Sequence, residues 1–427
     1  MVDGLNLLRK NQNNRTLNFR DYQTNIINKG CEVLSKHNLL YLAMEVRTGK
    51  TLTALGICQN LNCNNVLFVT KKKAISSIVS DYKMLDPNYY LEVINYESLH
   101  KITRKPWDII IVDEAHSLGA FPKPSKRAKN LKILTTLYKS KVILLSGTPT
   151  PESYSQMYHQ VYYIPGNPFS RHKSFYKFAS EYIDTTKRPI NGTWINDYSK
   201  GKQSILDDMK PYTISYTQKQ AGFVVNTNEE ILRVDICKSV KNIIKKLTKD
   251  KLVRGEKELI LADTPVKLMT KTHQLSSGTI KFESGRSMVL CTAKAKFIKK
   301  HFKNKKIGIF YKFKEELNAL KQVFDNNLCT TLEEFNTSDK NIALQIVSGR
   351  EGISLEAAQA LVYYNIDFSA TSYWQSRDRM TTKTRLNNKI YWIFSNSGME
   401  NDIYNTVIKK KDYTLSHFRK DLLSLSV

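Results

Sequence analysis

The sequence is poor in glycine and proline, since 17 Gly and 11 Pro in 427 residues exclude a collagen-like or linker-dominated chain. Its six cysteines form no CxxC pair, and only Cys58 and Cys63 lie close together, so neither a disulfide framework nor a zinc site is indicated. A reducing, cytoplasmic location is expected. Apolar runs such as LLYLAMEV fall far short of about 20 residues, and MVDGLNLLRKNQ at the N-terminus has no apolar core. We therefore expect neither a membrane span nor a signal peptide.

Acidic residues are also scarce. The sequence has 39 Asp and Glu against 66 Lys and Arg, which gives a formal net charge of +27. Such a surplus attracts polyanions and makes their binding depend on salt, so nucleic acid is the expected partner. The length allows two to three domains at about 150 residues each.

Short runs rich in Ile, Val and Leu alternate with longer mixed segments, which is typical of strands buried on both faces of a parallel sheet. The first half contains LLYLAM, NVLFVT, DIIIVD and KVILLSG, and the last third contains KIGIFYKF, IALQIVSG, ALVYYNID and KIYWIFS. A Lys-rich, helix-like stretch lies between them. The pattern predicts an α/β protein with an N-terminal lobe over 1–215, a helical basic insertion or connector over 216–285 and a C-terminal lobe over 286–427.

A GKT sequence follows the first apolar run, at the point where a helix would begin. Backbone N–H groups at such a helix start bind phosphate, the Lys50 ammonium would reach the β- and γ-phosphates of a nucleotide, and the Thr51 hydroxyl would bind Mg²⁺. Met44 stands where the strict GxxxxGK[ST] pattern has its first glycine. Taken alone, the segment is therefore equally consistent with a structural turn that enters a helix.

Two carboxylates, Asp113 and Glu114, follow the apolar run IIIV. In open α/β sheets, ligands bind outside the carboxyl ends of the strands. Asp113 is thus placed to hold Mg²⁺, and Glu114 to position or deprotonate an attacking water. Without the GKT sequence upstream, a strand ending in a solvated acidic turn would be the preferred interpretation. The two elements together predict ATP and Mg²⁺ as cofactors.

TGKT, DEAH (Asp113 to His116) and Ser146-Gly-Thr-Pro149 occur in the same order as in superfamily 2 helicases and translocases, which the sequence resembles. Within them it looks most like the SNF2-like branch, in particular the short members carried by bacteriophages. The resemblance implies two tandem RecA-like lobes with an ATP cleft between them. It also implies a nucleic-acid-dependent ATPase that moves along a strand as the cleft opens and closes.

The resemblance extends to residues around the nucleotide. The segment NFRDYQ is similar to the family's adenine-recognition motif, which implies that Gln23 reads the adenine edge and that Arg20 supports this pocket. EVRTGKT resembles the EMGLGKT of the branch, which assigns Arg47, Thr48 and Gly49 to nucleotide binding together with Lys50 and Thr51.

Other motifs of the first lobe imply roles beyond the nucleotide. By resemblance, three residues would couple the nucleotide to the nucleic acid: Ser146, Thr148 and His116. A run of three lysines stands at the position of motif Ia, which contacts the nucleic-acid backbone in this family: Lys71, Lys72 and Lys73. A solvated charge run is the alternative for these lysines.

In the second lobe, SGREGISL resembles motif V. Gly352 and Ser354 fall on matching positions. The match implies that Gly352 lies at the nucleotide and that Ser348 and Ser354 contact nucleic acid.

The segment YWQSRDRMTT resembles motif VI, whose pattern is QxxxRxxR. It keeps Gln375 and Arg379, to which the resemblance assigns catalytic roles, with Arg379 also contacting the nucleotide. Thr382 replaces the second arginine, which is often the finger that stabilises the transferring phosphate. We predict Arg379 in this role with Arg385 as the alternative, while Arg377 or Lys383 could substitute if the turn differs. A solvated or DNA-facing arginine cluster is the remaining interpretation.

These features predict an ATP-dependent DNA helicase or translocase that remodels or unwinds duplex or branched DNA in replication, recombination or repair, in a phage-infected host cytoplasm. An RNA helicase with the same motor and a degenerate ATP-responsive DNA-binding module are the alternatives. DNA, single-stranded, duplex or branched, would be held by its backbone without sequence specificity. Replication or recombination proteins are possible partners, and a monomer is expected.

Overall fold

The computed structural model describes residues 18–102, 105–151, 153–190, 193–222, 226–349, 353–380, 387–396 and 399–411. These residues divide into two compact units, the first ending at Gly222 and the second running from Asn226 to Lys410. Within these ranges, none of the helices is both long enough and apolar enough to cross a membrane. Both units are built on a six-stranded sheet, as the α/β prediction requires.

The sheet of the first unit is entirely parallel, with strand order β3-β2-β4-β5-β1-β8. Its strands are β1 (Leu39–Met44), β2 (Asn65–Thr70), β3 (Tyr90–Asn95), β4 (Ile109–Val112), β5 (Lys141–Leu145) and β8 (Thr213–Tyr216). A separate antiparallel hairpin is formed by β6 (Thr186–Ile190) and β7 (Thr193–Asp197). The four apolar runs predicted as strands are β1, β2, β4 and β5, and β1 and β4 are buried along their whole length.

Helices cover both faces of this sheet. The side chains of β1 alternate between the two faces, and each face has its own hydrophobic cluster. Leu40 and Leu42 pack with α1 and α2 on one face, whereas Leu39 and Tyr41 pack with α4 to α7 on the other. The helices are α1 (Asp21–Lys36), α2 (Lys50–Asn60), α3 (Ile75–Leu85), α4 (Lys126–Tyr138), α5 (Met157–Val161), α6 (Phe175–Tyr182) and α7 (Ser204–Met209).

The sheet of the second unit is also parallel throughout, with strand order β15-β16-β14-β17-β18-β9. Its strands are β9 (Asn226–Val234), β14 (Ile307–Tyr311), β15 (Leu328–Cys329), β16 (Asn341–Gln345), β17 (Ala360–Tyr363) and β18 (Asn387–Ser395). Its helices are α10 (Ala293–His301), α11 (Lys314–Phe324), α12 (Leu332–Thr337), α13 (Ile346–Gly349), α14 (Ala370–Arg377) and α15 (Glu400–Lys411).

The segment 216–285, predicted as a helical connector, is helical only in part. Strand β9 lies inside it and pairs with β18 along the sheet edge. The remainder forms a small subdomain with its own hydrophobic cluster. Its elements are α8 (Lys238–Asp250), β10 (Leu252–Arg254), β11 (Leu259–Leu261), α9 (Pro265–Ser276), β12 (Thr279–Lys281) and β13 (Ser287–Val289).

Cys237 and Cys291 flank this subdomain and form a disulfide, with their Cα atoms 5.9 Å apart. The sequence indicated no disulfide, and that expectation is wrong for this pair. The two cysteines are 54 residues apart, so only the fold brings them together.

Candidate nucleotide-binding site

The motifs of the first unit follow the carboxyl ends of four neighbouring strands, β2, β4, β5 and β1. The GKT loop follows β1, the lysine run follows β2, Asp113 follows β4, and Ser146 follows β5. Because the strands are parallel, all four motifs lie along one edge of the sheet, where α/β proteins bind ligands.

The loop between β1 and α2 has the shape of a phosphate cradle. Arg47 and Gly49 take left-handed backbone conformations, with φ of 63° and 80°. The Thr48 hydroxyl donates a hydrogen bond to the carbonyl oxygen of Glu45 at 2.7 Å, and the Lys50 ammonium donates to the same oxygen at 3.3 Å. Helix α2 begins at Lys50, so its free N–H groups open towards this loop.

The side chain of Gln23, in the first turn of α1, contacts this loop. Its amide nitrogen lies 3.4 Å from the Gly49 carbonyl oxygen and 3.4 Å from the Thr53 hydroxyl, and its amide oxygen accepts from the Arg20 backbone N–H at 3.2 Å. A Cβ atom built on Gly49 would lie 2.4 Å from the Gln23 amide nitrogen, so a side chain there would displace Gln23 or the loop, in a backbone conformation that already favours glycine. The structure therefore brings the predicted adenine and phosphate residues into contact.

Sequence reasoning missed Tyr22, which lies between Arg20 and Gln23 in the chain. Its ring stacks on that of Tyr216 with centroids 4.6 Å apart, and its hydroxyl donates to the Thr48 carbonyl oxygen at 3.1 Å. The Arg20 guanidinium donates to the Tyr22 hydroxyl at 2.7 Å, so Arg20 is linked to the loop through Tyr22, while its role in a nucleotide pocket stays a prediction. The available signal was the position of Tyr22 inside NFRDYQ, whereas Tyr216 carried no local pattern.

Asp113 is half-buried and is held by hydrogen bonds. One carboxylate oxygen accepts from the Thr70 hydroxyl at 2.8 Å, and its backbone carbonyl accepts from the Tyr96 hydroxyl. Burial, followed by the adjacent Glu114 charge, raises the pKa of Asp113, while the Thr70 hydrogen bond and the Lys50 charge oppose the rise. Glu114 itself has φ of 51°, a strained backbone conformation of the kind found at functional sites.

The side chains at this edge fit a nucleotide with Mg²⁺. The Thr51 hydroxyl in the first turn of α2 and the Asp113 carboxylate are oxygen ligands of the kind that Mg²⁺ prefers. A Cβ atom built on Gly147 would lie 3.8 Å from the Lys50 ammonium nitrogen, so the loop after β5 lies against the cradle. The Thr148 hydroxyl, in the loop after β5, is buried and has no hydrogen-bond partner among the described residues.

The three predicted coupling residues lie together. The Nδ1 atom of His116 is 3.1 Å from the Ser146 hydroxyl and 3.3 Å from the Glu114 carboxylate. The Ser146 hydroxyl in turn accepts from the Thr148 backbone N–H at 3.1 Å. His116 thus connects the carboxylate pair with the loop after β5.

The lysine run begins directly after β2. Lys72 and Lys73 are exposed in a short 3₁₀ helix, Lys72–Ala74, and Lys71 precedes it. All three lie at the motif-bearing edge of the sheet. Their contact with a nucleic-acid backbone stays a prediction.

In the second unit, the segments resembling motifs V and VI are joined by hydrogen bonds. Arg379 lies in a short 3₁₀ helix after α14, and its guanidinium donates to the Ile353 carbonyl oxygen at 3.3 Å. The Arg379 carbonyl oxygen accepts from the Leu355 N–H at 2.7 Å. Ser354, between these two partners, is exposed.

The remaining predicted residues of this unit are only partly covered by the structure. Ser348 lies in α13 and Gln375 in α14. Gly352 lies outside the described residues, as do Thr382, Lys383 and Arg385. The roles assigned to all of them stay predictions.

Glu229 on β9 is a second residue that sequence reasoning missed. Its carboxylate accepts hydrogen bonds from the Tyr373 hydroxyl at 2.8 Å, the Trp392 indole N–H at 3.0 Å and the Tyr404 hydroxyl at 3.0 Å, and it pairs with the Arg377 guanidinium. Arg377, considered above as a substitute finger, is thereby tied to the sheet edge. More than 140 residues separate Glu229 from Tyr373, so no local pattern could show the link.

Comparison with known proteins identifies the family. A family model described as the SNF2-related domain matches residues 61–288, which is 228 of the 427 residues. The chain belongs to the SNF2-related family. A second model, the res subunit of type III restriction enzymes, matches residues 16–95, which include the cradle and the adenine-motif segment of this SNF2-related chain.

Individual relatives of this SNF2-related chain are distant. The chromatin-remodeling ATPase INO80 of Cryptococcus neoformans is 26% identical over 179 residues, 42% of this chain and 10% of that protein. A probable ATP-dependent helicase of Plasmodium falciparum is 26% identical over 98 residues, 22% of this chain and 4% of that protein. The chain thus matches a tenth or less of the length of these curated relatives. The Sulfolobus solfataricus SWI2/SNF2 ATPase core in complex with dsDNA aligns over 96% of this chain and 94% of that chain, with a TM-score of 0.42 and 16% identity.

Proposed function

We propose that this SNF2-related protein is a DNA-dependent ATPase that uses ATP hydrolysis to move along, remodel or unwind DNA. The observation that carries the proposal is the convergence of Lys50, the pair Asp113 and Glu114, and Ser146 at one edge of one parallel sheet. An ATPase needs a phosphate cradle, metal-binding oxygens and a base beside one another, and the side chains at this edge are of the types that such roles require, which supports the proposal.

Each side chain has a role that follows from its position. The cradle N–H groups and the Lys50 ammonium would bind the phosphates, while the Thr51 hydroxyl and the Asp113 carboxylate would hold Mg²⁺. Bound Mg²⁺ supplies positive charge that neutralises the phosphate oxygens. Glu114 orients the attacking water and accepts its proton. Arg379 is proposed as the group that stabilises charge on the transferring phosphate.

His116, Ser146 and Thr148 are proposed to transmit the state of the nucleotide. The unpartnered Thr148 hydroxyl would bond the γ-phosphate side of the site, and the His116 to Ser146 contact would pass the change on to the carboxylate pair. Because the loop after β5 lies against the cradle, loss of the γ-phosphate would alter the contact between His116 and Ser146.

DNA is the proposed partner because the protein has a net charge of +27 and exposed lysines at the motif-bearing edge. The name of the INO80 relative, a chromatin-remodeling ATPase, agrees with a DNA substrate. Backbone contacts by Lys71, Lys72, Lys73 and Ser354 would leave the binding independent of base sequence. A role in replication, recombination or repair, as in the short phage proteins that the sequence resembles, belongs to the same proposal.

The test is the ATPase rate of the full chain with single-stranded, duplex, forked and four-way DNA, and with RNA as control. We expect DNA to stimulate turnover and both Lys50→Ala and Glu114→Gln to abolish it, while Lys249→Ala, an exposed lysine on α8, changes nothing. Stronger stimulation by RNA would instead indicate an RNA helicase. DNA binding that responds to ATP without turnover would indicate an ATP-responsive binding module.

A further inference from the structure

The hairpin β6–β7 exposes a tryptophan. Four consecutive residues of β7, from Thr193 to Asn196, are exposed, and the Trp194 side chain is 67% exposed. By contrast, Trp107 and Trp392 are 1% and 0% exposed in the cores of their units. A single exposed apolar side chain is common on protein surfaces, so the residues around Trp194 decide whether it marks a binding surface. The hairpin belongs to neither six-stranded sheet, so packing of those sheets does not account for it.

Lysine and tryptophan share one face of the hairpin. In the antiparallel register, Lys187 lies opposite Asn196, and Trp194 precedes Asn196 by two residues. Since side chains alternate between the faces of a strand, Lys187, Trp194 and Asn196 point to the same side. Lys187 is exposed, and residues 171–202 around the hairpin contain seven Lys and Arg against three Asp and Glu.

An aromatic ring beside a cation is the combination with which proteins bind single-stranded nucleic acid. A base stacks on the ring and a phosphate contacts the cation. A protein partner with an apolar surface would need a wider apolar patch than Trp194 and Ile195 provide, and the local positive charge favours a polyanion.

Two serine hydroxyls fasten the base of the hairpin to the body of the first unit. Ser153 donates to the Ser199 carbonyl oxygen at 2.5 Å, and Ser155 donates to the Tyr198 carbonyl oxygen at 2.6 Å. A Cβ atom built on Gly201 would lie 2.7 Å from the Ser155 backbone nitrogen, which shows how closely the two backbones approach.

The same segment continues into α5, which contacts the loops of the nucleotide site. The Gln160 amide donates to the Pro149 carbonyl oxygen at 2.8 Å, and its oxygen accepts from the Tyr41 hydroxyl on β1 at 2.7 Å. His159 Nδ1 lies 2.6 Å from the carbonyl oxygen of Ala120, just beyond the DEAH residues. Residues 153–161 therefore connect the hairpin base with β1 and with the segments that follow β4 and β5.

We propose that the β6–β7 hairpin binds single-stranded nucleic acid by stacking an unpaired base on Trp194, with Lys187 at a neighbouring phosphate. The proposal rests on the proposed function, because it assumes that nucleic acid is the substrate of the ATPase. The hairpin is thereby assigned as a nucleic-acid contact separate from the motifs at the sheet edge.

The direct test is binding of fluorescent oligo(dT) and oligo(U) to the full chain without nucleotide. Stacking of a base contributes about 1–3 kcal/mol, so Trp194→Ala is expected to weaken binding by about 5- to 150-fold, whereas Trp194→Phe keeps most of the affinity. The matched control is Leu137→Ala on α4, whose side chain is 64% exposed and should not matter. The two oligonucleotides show whether the hairpin prefers DNA or RNA. Equal affinities of wild type and Trp194→Ala for both would overturn the proposal.

Tryptophan emission provides a second readout that does not depend on affinity. Stacking should quench the exposed Trp194, and Trp194→Phe should lose that quench while its ATPase rate without nucleic acid stays unchanged. If the wild type binds oligonucleotide and hydrolyses ATP, but the emission of Trp194→Phe is quenched as strongly as that of the wild type, the hairpin assignment is wrong. The proposed function is not affected by that result. A wild type that binds neither DNA nor RNA contradicts both this inference and the proposed function.

Discussion

The Nδ1 atom of His116 lies 3.1 Å from the hydroxyl oxygen of Ser146, which joins the loop after β4 to the loop after β5. His116 also lies 3.3 Å from the Glu114 carboxylate, so the proposed base and the proposed phosphate sensor share one imidazole. The Ser146 side chain is fully buried, so this contact lies away from bulk solvent. If the proposed function is correct, this pair would link hydrolysis with the response of the loop after β5.

Replacing His116 should affect stimulation of the ATPase by DNA more than it affects ATP binding. Loss of one buried hydrogen bond costs about 1 kcal/mol, so His116→Ala is expected to reduce stimulation of the ATPase by DNA about fivefold while ATP binding changes little. Steady-state ATPase assays with and without duplex DNA measure this. His100→Ala, at an exposed histidine of the same unit, is the control. Unchanged stimulation in His116→Ala would show that the contact is only structural.

The cradle offers a sharper steric test at Gly49. Its φ of 80° and the 2.4 Å approach of the Gln23 amide to a built Cβ both oppose a side chain. Gly49→Ala should therefore weaken ATP binding at least tenfold, since Gln23 or the loop must move. Isothermal titration with a non-hydrolysable ATP analogue measures the affinity.

Gly166→Ala is the matched control for this substitution. Gly166 has nearly the same φ, 77°, but nothing lies within 4 Å of its built Cβ. It should therefore show only the backbone cost of about 1 kcal/mol in unfolding and no change in ATP affinity. If both variants bind ATP like the wild type, the cradle does not hold the phosphates.

The strands with the strongest apolar runs, β1, β2, β4 and β5, were predictable. Strands that are buried on both faces of a sheet have nearly continuous runs of hydrophobic residues. Strand β9 was not, because its sequence NTNEEILRV is largely polar where it lies at the sheet edge. The Lys-rich stretch from residue 238 was correctly predicted as helix, but α8 ends at Asp250 and a short strand follows. An edge strand and a small subdomain lack the periodicity on which sequence reasoning depends.

The site shows the same division. Lys50, Asp113 and Ser146 could be named because each follows an apolar run, Asp113 and Ser146 directly and Lys50 after a short loop, which fixes their place at the sheet edge. Tyr216, Thr70 and Glu229 could not be, because their importance comes from contacts with residues far away in the chain. Glu229 is the extreme case, since β9 pairs with β18 only in the folded second unit.

Glu229 should act as a positioning residue for the segment that resembles motif VI. Glu229→Gln keeps the shape and one acceptor oxygen but removes the charge that pairs with Arg377, a contact in which both side chains are mostly buried. We expect the free energy of unfolding to fall by about 1–3 kcal/mol and kcat to fall more than the KM for ATP changes. Glu230→Gln, an exposed neighbour on β9, is the control. A variant that loses stability but keeps kcat would assign Glu229 to folding alone.

Asp81 on α3 provides a test of stability against pH. Burial raises the pKa of its carboxyl from 3.8 to about 6, so at pH 7.5 the folded protein holds a charge that it disfavours. Asp81→Asn removes this cost and should raise the free energy of unfolding by about 1 kcal/mol, a figure reduced from the full shift because the group is partly exposed. The gain should shrink as the pH falls through 6, where the folded wild type takes up a proton, and vanish below about 4, where the unfolded chain is protonated too.

Urea unfolding of the wild type and Asp81→Asn at pH 7.5 and 4.5 measures this gain in the free energy of unfolding, with the exposed Asp250→Asn as control. A gain of equal size at both pH values would mean that Asp81 is charged in the folded protein at pH 4.5.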